Sequence, residues 1–489
     1  MPLLSDDESC YRALRSRDAR FDGVFFTGVT STGIYCRPVC PTRTPKAQNC
    51  RFFTAASSAE QAGFRPCLRC RPELAPKVLA QGLVGTLMHR LQVRGDMDAD
   101  VADLVSMSGF SERHLRRQFL LECGLSPVAV LQTRRLLFAK QLLQDTSLPI
   151  TDVAYSAGFR SLRRFNALFK ERYGLAPTAL RQNRTVVGDA ISLRLDYRPP
   201  LHWPSMLAYL RYRITPGMDM IEGDEYIRTV RIGSHTGWLR LGLGDRANTL
   251  VATVPMSLAA VLGEVLARVR MVCDLDAHPQ EIDAVLGADP LLRSYVEGRP
   301  GLRVPGAWSP FELASRTVLG QQVSVAGANT LMGRLALRFG ENVTTPWPEL
   351  ALTSASAEAV AAATVDDVAK IGMPGKRAEA LIGIAQAIAS GKITLLPGDD
   401  VPSTITNLKA LPGIGEWTAQ YLAMRAMRHP DSFPAGDLGL RKALATDRMP
   451  SERETLAMVE AWRPWRSYAA LHLWLGKNPI YEYTASHLL

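Results

Sequence analysis

The spacing of apolar residues changes character along this chain. From about residue 84 it is helical: Val101, Leu104 and Val105 share one face of a first helix, and Leu115 and Phe119 one face of a second. Gly109-Phe110 stands between the two as a glycine turn. The pattern returns about 50 residues later, where Thr151 to Ala157 leads through Gly158-Phe159 into a helix with Phe165 and Phe169 on its inner face. Each Gly-Phe is followed by Gly-Leu-Ser/Ala-Pro, Gly124 to Pro127 and then Gly174 to Pro177. The two stretches form a pseudo-repeat whose unit is short helix, glycine turn, second helix. Over residues 190–275 the period shortens to two, as in Ile191 to Tyr197 and Tyr226 to Ile232, which predicts antiparallel strands with a few helices. Residues 276–489 return to helical spacing, punctuated by Gly and Pro.

A chain of 489 residues exceeds a single core and suggests three or four domains. Hydrophobic and charged contents of 47% and 21% are those of an ordinary globular protein, and no apolar run is long enough to predict a membrane span. Met1-Pro-Leu-Leu-Ser-Asp-Asp-Glu8 is acidic and lacks the basic and apolar parts of a secretion signal, so a cytoplasmic, nucleoid-associated protein is expected. The net charge is +10, and its distribution matters more than its size: residues 1–83 carry +5, residues 84–183 carry +5, and residues 184–489 sum to zero. A basic front half suits a polyanion, most simply DNA.

Four of the eight cysteines lie within 35 residues. Cys36-x3-Cys40 and Cys67-x2-Cys70 are two close pairs that can converge on one tetrahedral zinc. Clustered cysteines in a chain without a secretion signal favour metal over disulfides. Spacing alone is met by a purely structural site, and Cys50 falls outside it as a bystander. The flanking residues go further: Phe25-Phe26-Thr-Gly-Val-Thr-Ser-Thr-Gly-Ile-Tyr before Cys36, and Gly63-Phe-Arg-Pro before Cys67. Residues 8–75 resemble the amino-terminal domain of Ada, the bacterial alkylation-damage sensor. That resemblance implies that Cys36 is both a zinc ligand and a nucleophile that keeps a methyl group taken from a methylated DNA phosphate. It implies that Cys40, Cys67 and Cys70 are permanent ligands. The chemistry is reasonable, because zinc holds sulfur as thiolate and thiolate is the nucleophile. Methylation removes one negative charge from the centre and so weakens its repulsion of DNA phosphates.

In the pseudo-repeat the outer faces carry Arg113, Arg116 and Arg117, then Arg160, Arg163 and Arg164. The first residues of a recognition helix are those that reach base edges in the major groove. Residues 84–183 resemble the AraC-type DNA-binding domain, best in Gly158-Phe159, Phe165, Phe169-Lys170, Gly174, Pro177 and Arg181. Sequence does not separate base-reading arginines from phosphate-holding ones.

In the rear half, Leu411-Pro-Gly413-Ile-Gly415 joins two helical stretches, and Trp417 and Tyr421 follow it. The glycines let backbone approach a phosphate, and the next helix offers it free N–H groups. Asp437 comes 16 residues after Tyr421. A hairpin followed by an aspartate resembles the helix-hairpin-helix DNA glycosylases, and residues 190–478 are most similar to AlkA, a 3-methyladenine glycosylase. Pro300 to Gly306, Val318 to Ala326, Gly372 to Leu381 and Trp462 to Trp474 match in order. The resemblance implies a catalytic carboxylate at Asp437 and base-pocket aromatics at Trp417, Tyr421 and Trp474. It implies hairpin contacts to DNA at Gly413 and Gly415. It sets Gln322 where the best-known AlkA has a leucine wedge. Trp417 occupies the position of the Schiff-base lysine of strand-cutting relatives, so a monofunctional enzyme is expected. A plain reading of Asp437 is a helix N-cap, and His472 reads as a packed core histidine.

The expectation is a multidomain, mainly α protein. Its parts are a small zinc-bound α/β module (1–80), an all-α double helix-turn-helix (84–183), an antiparallel α+β subdomain (190–275) and an all-α helix-hairpin-helix glycosylase (276–489). Its cofactor is Zn²⁺. Its partners are alkylated and promoter double-stranded DNA and RNA polymerase, and it works as a monomer. Two alternatives remain: a glycosylase with a purely structural DNA-docking front, and a transcription factor with an idle glycosylase domain. No Pro-Cys-His-Arg occurs, so repair of O6-methylguanine is not expected.

Overall fold

The computed structural model describes residues 6–76, 82–181 and 190–476. The expected junctions near residue 80 and at 184–189 lie outside the described residues. The chain forms two compact units, Met1–Pro199 with Gly244–Ala267, and Pro200–Leu243 with Arg268–Leu489.

The first unit begins with a helix, Asp7–Ser16, capped by the Asp6 carboxylate. A small sheet follows, in the order Cys50–Phe53, Phe26–Val29, Ile34–Cys36, Arg65–Pro66. The last pair is parallel, with Ile34 opposite Arg65 and Tyr35 opposite Pro66. That register decides the chemistry, because it ends one strand at Cys36 beside the turn that starts at Cys67. Among the described residues the module's apolar core is two small clusters, Phe26, Tyr35, Ala59, Phe64 and Ala75 in one and Cys10, Ala13 and Phe25 in the other. A core this small needs a second source of stability.

The double helix-turn-helix takes the predicted form. Asp100 caps the helix Val101–Ser108 in a capping box, and Ser111 caps Glu112–Cys123. In the second helix-turn-helix Ile150–Ser156 leads to Leu162–Tyr173, capped by Ser161. Leu104, Leu115, Phe119, Phe165 and Phe169 are all fully buried. Gly158 has φ +79°, and a Cβ there would meet the Met97 carbonyl oxygen at 2.1 Å, so only glycine fits this turn.

The long helix Pro127–Asp145 joins the two helix-turn-helix motifs and presents polar residues to the zinc module. Lys140 donates to Glu73 at 2.6 Å, and Arg71 donates to both carboxylate oxygens of Asp145 at 2.7 and 3.1 Å. These charges are almost wholly buried. Buried pairs of this kind specify how elements dock more than they add net stability. The strand Ala190–Asp196 pairs antiparallel with Thr249–Pro255, with Leu193 opposite Ala252. It alternates buried positions with partly exposed ones as its period-two pattern predicts.

In the second unit Asp219–Glu222, Glu225–Ile232 and His235–Leu243 form an antiparallel meander. The helices divide between two cores. One gathers Pro310–Leu319, Val325–Phe339, Gly375–Ala389 and Glu416–Arg425. The other gathers Pro279–Gly287, Leu438–Leu444 and Arg466–Gly476 with Tyr209. Trp474 packs against both cores, and a cavity opens where they meet. No described helix is long and apolar enough to cross a membrane.

Candidate functional site

The cavity in the second unit measures about 570 Å³. The hairpin builds one wall. Val401–Lys409 ends in the Leu411–Gly415 turn, and Glu416–Arg425 begins at Gly415 with no side-chain cap, which leaves its first N–H groups available. Trp417 and Tyr421 lie one turn apart on that helix. Their rings stack at 5.3 Å with 9° between planes, and Trp474 meets Tyr421 edge-on at 6.1 Å. Asp437 supplies the rim. It caps Leu438–Leu444 by accepting from the Leu440 N–H at 2.9 Å. Its Oδ1 also accepts from Trp474 Nε1, and its Oδ2 from Trp417 Nε1, each at 3.0 Å. The cap and the pocket carboxylate are therefore the same group. Two indoles orient it, and all four predicted pocket residues come together.

Gln322 lies at the exposed tip after Pro310–Leu319, with φ +58°. Its neighbour Gln321 donates to the Gly413 carbonyl at 3.0 Å, tying that tip to the hairpin. Gly413 and Gly415 are exposed, and Gly413 has φ +80°. His472 is 1% exposed, and burial holds its pKa down at about 3, so it is a neutral core residue.

Sequence reasoning missed the cations of this cavity. Arg213, Arg316 and Lys442 also line it. Arg425 lies behind it and donates to the Tyr421 hydroxyl at 2.9 Å. The i, i+4, i+8 spacing of Trp417, Tyr421 and Arg425 put Arg425 on the same helix face and was a legible signal. Arg213 lies in the turn after the helix Trp203–Arg211 and Arg316 in the helix Pro310–Leu319, and no local pattern joins them.

In the first unit the sulfurs of Cys36, Cys40, Cys67 and Cys70 all lie within 4.8 Å of one another. The edge of a tetrahedron of thiolates on zinc is about 3.8 Å, so the set fits that ion. Cys40 is driven down to about 6 by its contact with Cys36, while Cys36 itself is driven up by Cys40. Thiols this close cannot all keep their protons, and a divalent cation resolves the conflict. Cys70 Sγ receives the Arg37 N–H at 3.3 Å, Cys67 Sγ receives the Arg69 N–H at 3.4 Å, and Cys40 shares a 3.1 Å hydrogen bond with the Thr42 hydroxyl. Cys36 has no donor outside the four cysteines among the described residues. It is also the most exposed of them, at 9%. Cys50 stays apart on its strand, with its thiol donating to the Lys46 carbonyl.

All six predicted arginines, Arg113, Arg116, Arg117, Arg160, Arg163 and Arg164, are exposed on the outer faces of the two second helices and their turns. Among the described residues Arg160 makes a loose salt bridge with Asp100 at 3.8 Å, and the other five make none.

Family models match along nearly the whole chain: the metal binding domain of Ada over residues 9–73, a helix-turn-helix domain over 104–183, the AlkA N-terminal domain over 192–309, and the HhH-GPD superfamily of base excision DNA repair proteins over 315–467. A Mycobacterium tuberculosis protein described as a probable bifunctional transcriptional activator/DNA repair enzyme AlkA is 38% identical over 493 residues, 98% of either chain. The chain belongs to that family. The DNA-3-methyladenine glycosylase 2 of Escherichia coli is 35% identical over 282 residues, covering 57% of this chain and 95% of its own. A solved 3-methyladenine DNA-glycosylase from Archaeoglobus fulgidus shares the fold, with a TM-score of 0.51 at 20% identity over 60% of this chain and 99% of its own. As a family member the chain binds DNA and combines the parts of a glycosylase with those of a transcriptional activator, and the four-cysteine cluster is its zinc site.

Proposed function

We propose that the rear unit excises bases alkylated at a ring nitrogen, of the 3-methyladenine type, by hydrolysing the bond from base to sugar. The observation that carries this reading is the Asp437 carboxylate, held by two indole N–H groups at 3.0 Å on the rim of an aromatic cavity. The target base must be flipped out of the duplex, at a cost of about a few kcal/mol. Trp417, Tyr421 and Trp474 then offer it ring faces and edges, and Gly413, Gly415 and Gln322 meet the distorted backbone. As the base departs, the sugar gains positive charge, and Asp437 stabilises it. No lysine stands at Trp417, so the strand is left uncut.

In the front unit Cys36 attacks the methyl carbon of a methylated DNA phosphate. The carbon–sulfur bond forms, the carbon–oxygen bond breaks, and the phosphate oxygen keeps the electron pair as an ordinary diester. Bound zinc supplies the electrostatics that hold the cysteines as thiolates. The lack of an outside donor on Cys36 leaves its charge the least dispersed of the four, which supports it as the nucleophile. The less negative centre then favours promoter binding through the exposed arginines, and the protein recruits RNA polymerase as a monomer.

Incubation with alkylated duplex DNA tests both halves. Free 3-methyladenine is expected in solution, and a methyl group on Cys36 by mass spectrometry. No free base would end the glycosylase reading; methyl found elsewhere, or nowhere, would end the nucleophile assignment.

A further inference from the structure

Gly439 stands where the backbone has no need of a glycine. It lies in the helix Leu438–Leu444 and has none of the positive φ that favours glycine elsewhere in the chain. Glycine is a poor helix former, so a position of this kind weakens its own element. It faces the base cavity, on the same side of the helix as Ala443 one turn on. A Cβ added at Gly439 would lie 3.1 Å from Asp437 Oδ1, 3.6 Å from Trp474 Cδ1 and 3.8 Å from Trp474 Nε1. The missing side chain therefore leaves a recess in the cavity wall between the carboxylate and the edge of the indole.

The hydrogen bonds of Asp437 divide its two oxygens. Oδ1 accepts from the Leu440 N–H at 2.9 Å and from Trp474 Nε1 at 3.0 Å, whereas Oδ2 accepts from Trp417 Nε1 at 3.0 Å. With two donors Oδ1 is satisfied, so an apolar group can lie against it and the Trp474 edge without stranding a polar atom. Oδ2 keeps the spare acceptor capacity that faces a sugar gaining positive charge.

The shape of an alkylated purine fits this division. An alkyl group on N3 of adenine lies beside the bond to the sugar, on the same edge of the base. An alkyl group on N7 of guanine points away from that bond, across the five-membered ring. With the glycosidic bond held against Asp437, the N3 substituent reaches the recess and the N7 substituent does not.

We propose that Gly439 sets the size limit for the N3 substituent: the recess it leaves between Asp437 Oδ1 and Trp474 admits alkyl chains longer than methyl on a flipped adenine. The proposal rests on the glycosylase reading and narrows the substrate class of that cavity. Gly439 meets the substituent and not the reacting bond, so it determines specificity and takes no part in the chemistry. Filling the recess takes space from N3-alkyl groups alone, and one methylene more or less in an apolar space changes the rate about tenfold or more.

The test uses the full-length protein and two duplex DNAs, one methylated and one ethylated, each carrying 3-alkyladenine and 7-alkylguanine. The released bases are resolved by chromatography. The unaltered protein is expected to release 3-ethyladenine nearly as fast as 3-methyladenine. In Gly439→Ala the ratio of 3-ethyladenine to 3-methyladenine release should fall about tenfold, while the ratio of 7-ethylguanine to 7-methylguanine release stays as it was. Taking ratios cancels any general loss from a small shift of Asp437. Leu438→Ala, at an exposed neighbour outside the cavity wall, should leave both ratios unchanged. Slow release of 3-ethyladenine by the unaltered protein, an unchanged adenine ratio in Gly439→Ala, or an equal fall in both ratios would overturn the proposal. The first of these needs no variant, so a folding defect cannot hide the answer. If the unaltered protein releases no base at all, the glycosylase reading fails instead.

Discussion

Arg37 Nη1 donates to Asp196 Oδ2 at 2.6 Å, which ties the residue after Cys36 to a strand 159 positions further along the chain. The same guanidinium donates to the Cys70 carbonyl at 3.1 Å and makes a paired contact with Asp22. It is 5% exposed. The loop that carries the proposed nucleophile is thus held by a buried cation shared between two carboxylates and the opposite ligand pair. Arg37→Ala would strand those carboxylates. A loss of about 3–5 kcal/mol in the first unit is expected, read as zinc release at lower denaturant concentration. Arg37→Lys should recover only part of it, because a single ammonium cannot span the fork.

Asp437→Asn keeps the N-cap, for which asparagine serves as well as aspartate, and removes the charge. At about 4 Å and an effective dielectric near 20 the lost attraction is roughly 4 kcal/mol. Base release should fall about a thousandfold, while the amide nitrogen that replaces Oδ2 cannot accept from Trp417 Nε1, which costs about 1–3 kcal/mol of stability. A variant that released 3-methyladenine at the normal rate would remove Asp437 from the chemistry.

Gly413→Ala meets two obstacles. Its φ of +80° is costly for any other residue, and the new Cβ would lie 2.8 Å from the Ala380 Cβ. A destabilisation of about 1–3 kcal/mol is expected, with the hairpin displaced. Affinity for undamaged duplex should weaken, as measured by fluorescence anisotropy, while Gly415→Ala, which faces open space, should be tolerated better in the fold.

Glu60 lies where the zinc module meets the long helix Pro127–Asp145 and the second helix-turn-helix. It accepts from the Tyr35 hydroxyl and the Thr133 hydroxyl at 3.1 Å each, with Arg172 at 4.0 Å. Burial raises its pKa from 4.5 to about 7 despite those partners. A carboxyl whose folded pKa is raised adds stability that is fully present below the unfolded pKa and is lost as pH climbs through the folded one. The first unit should therefore lose stability, on the order of 3 kcal/mol, between about pH 4.5 and pH 7. Glu60→Gln should flatten that slope in paired thermal melts. Parallel slopes in both proteins would remove Glu60 as the cause.

Much of this protein was legible without coordinates because its signals are local. The Gly158 turn, the capped helices and the buried Phe165 and Phe169 follow from spacing and turn chemistry that act over a few residues. The same holds for the placement of Trp417 and Tyr421 on one helix face. The four cysteines were legible because metal coordination allows few spacings. The family resemblance then attached roles to Asp437 and Cys36 that spacing alone leaves open.

Tertiary structure decided which distant charges meet. Nothing local to Cys36 announces that Arg37 will reach Asp196, or that Lys140 will be buried against Glu73. Nor does any local pattern gather Arg213, Arg316 and Arg425 around one tyrosine. Hydrophobic periodicity specifies which face of an element turns inward, but not which partner it finds there. A buried charge must find an opposite charge or a hydrogen-bonding group, and the packing of elements far apart in sequence determines which one it finds. Helix and turn chemistry belonged to the sequence alone, whereas the ion pairs and the charge of the cavity belong to the fold.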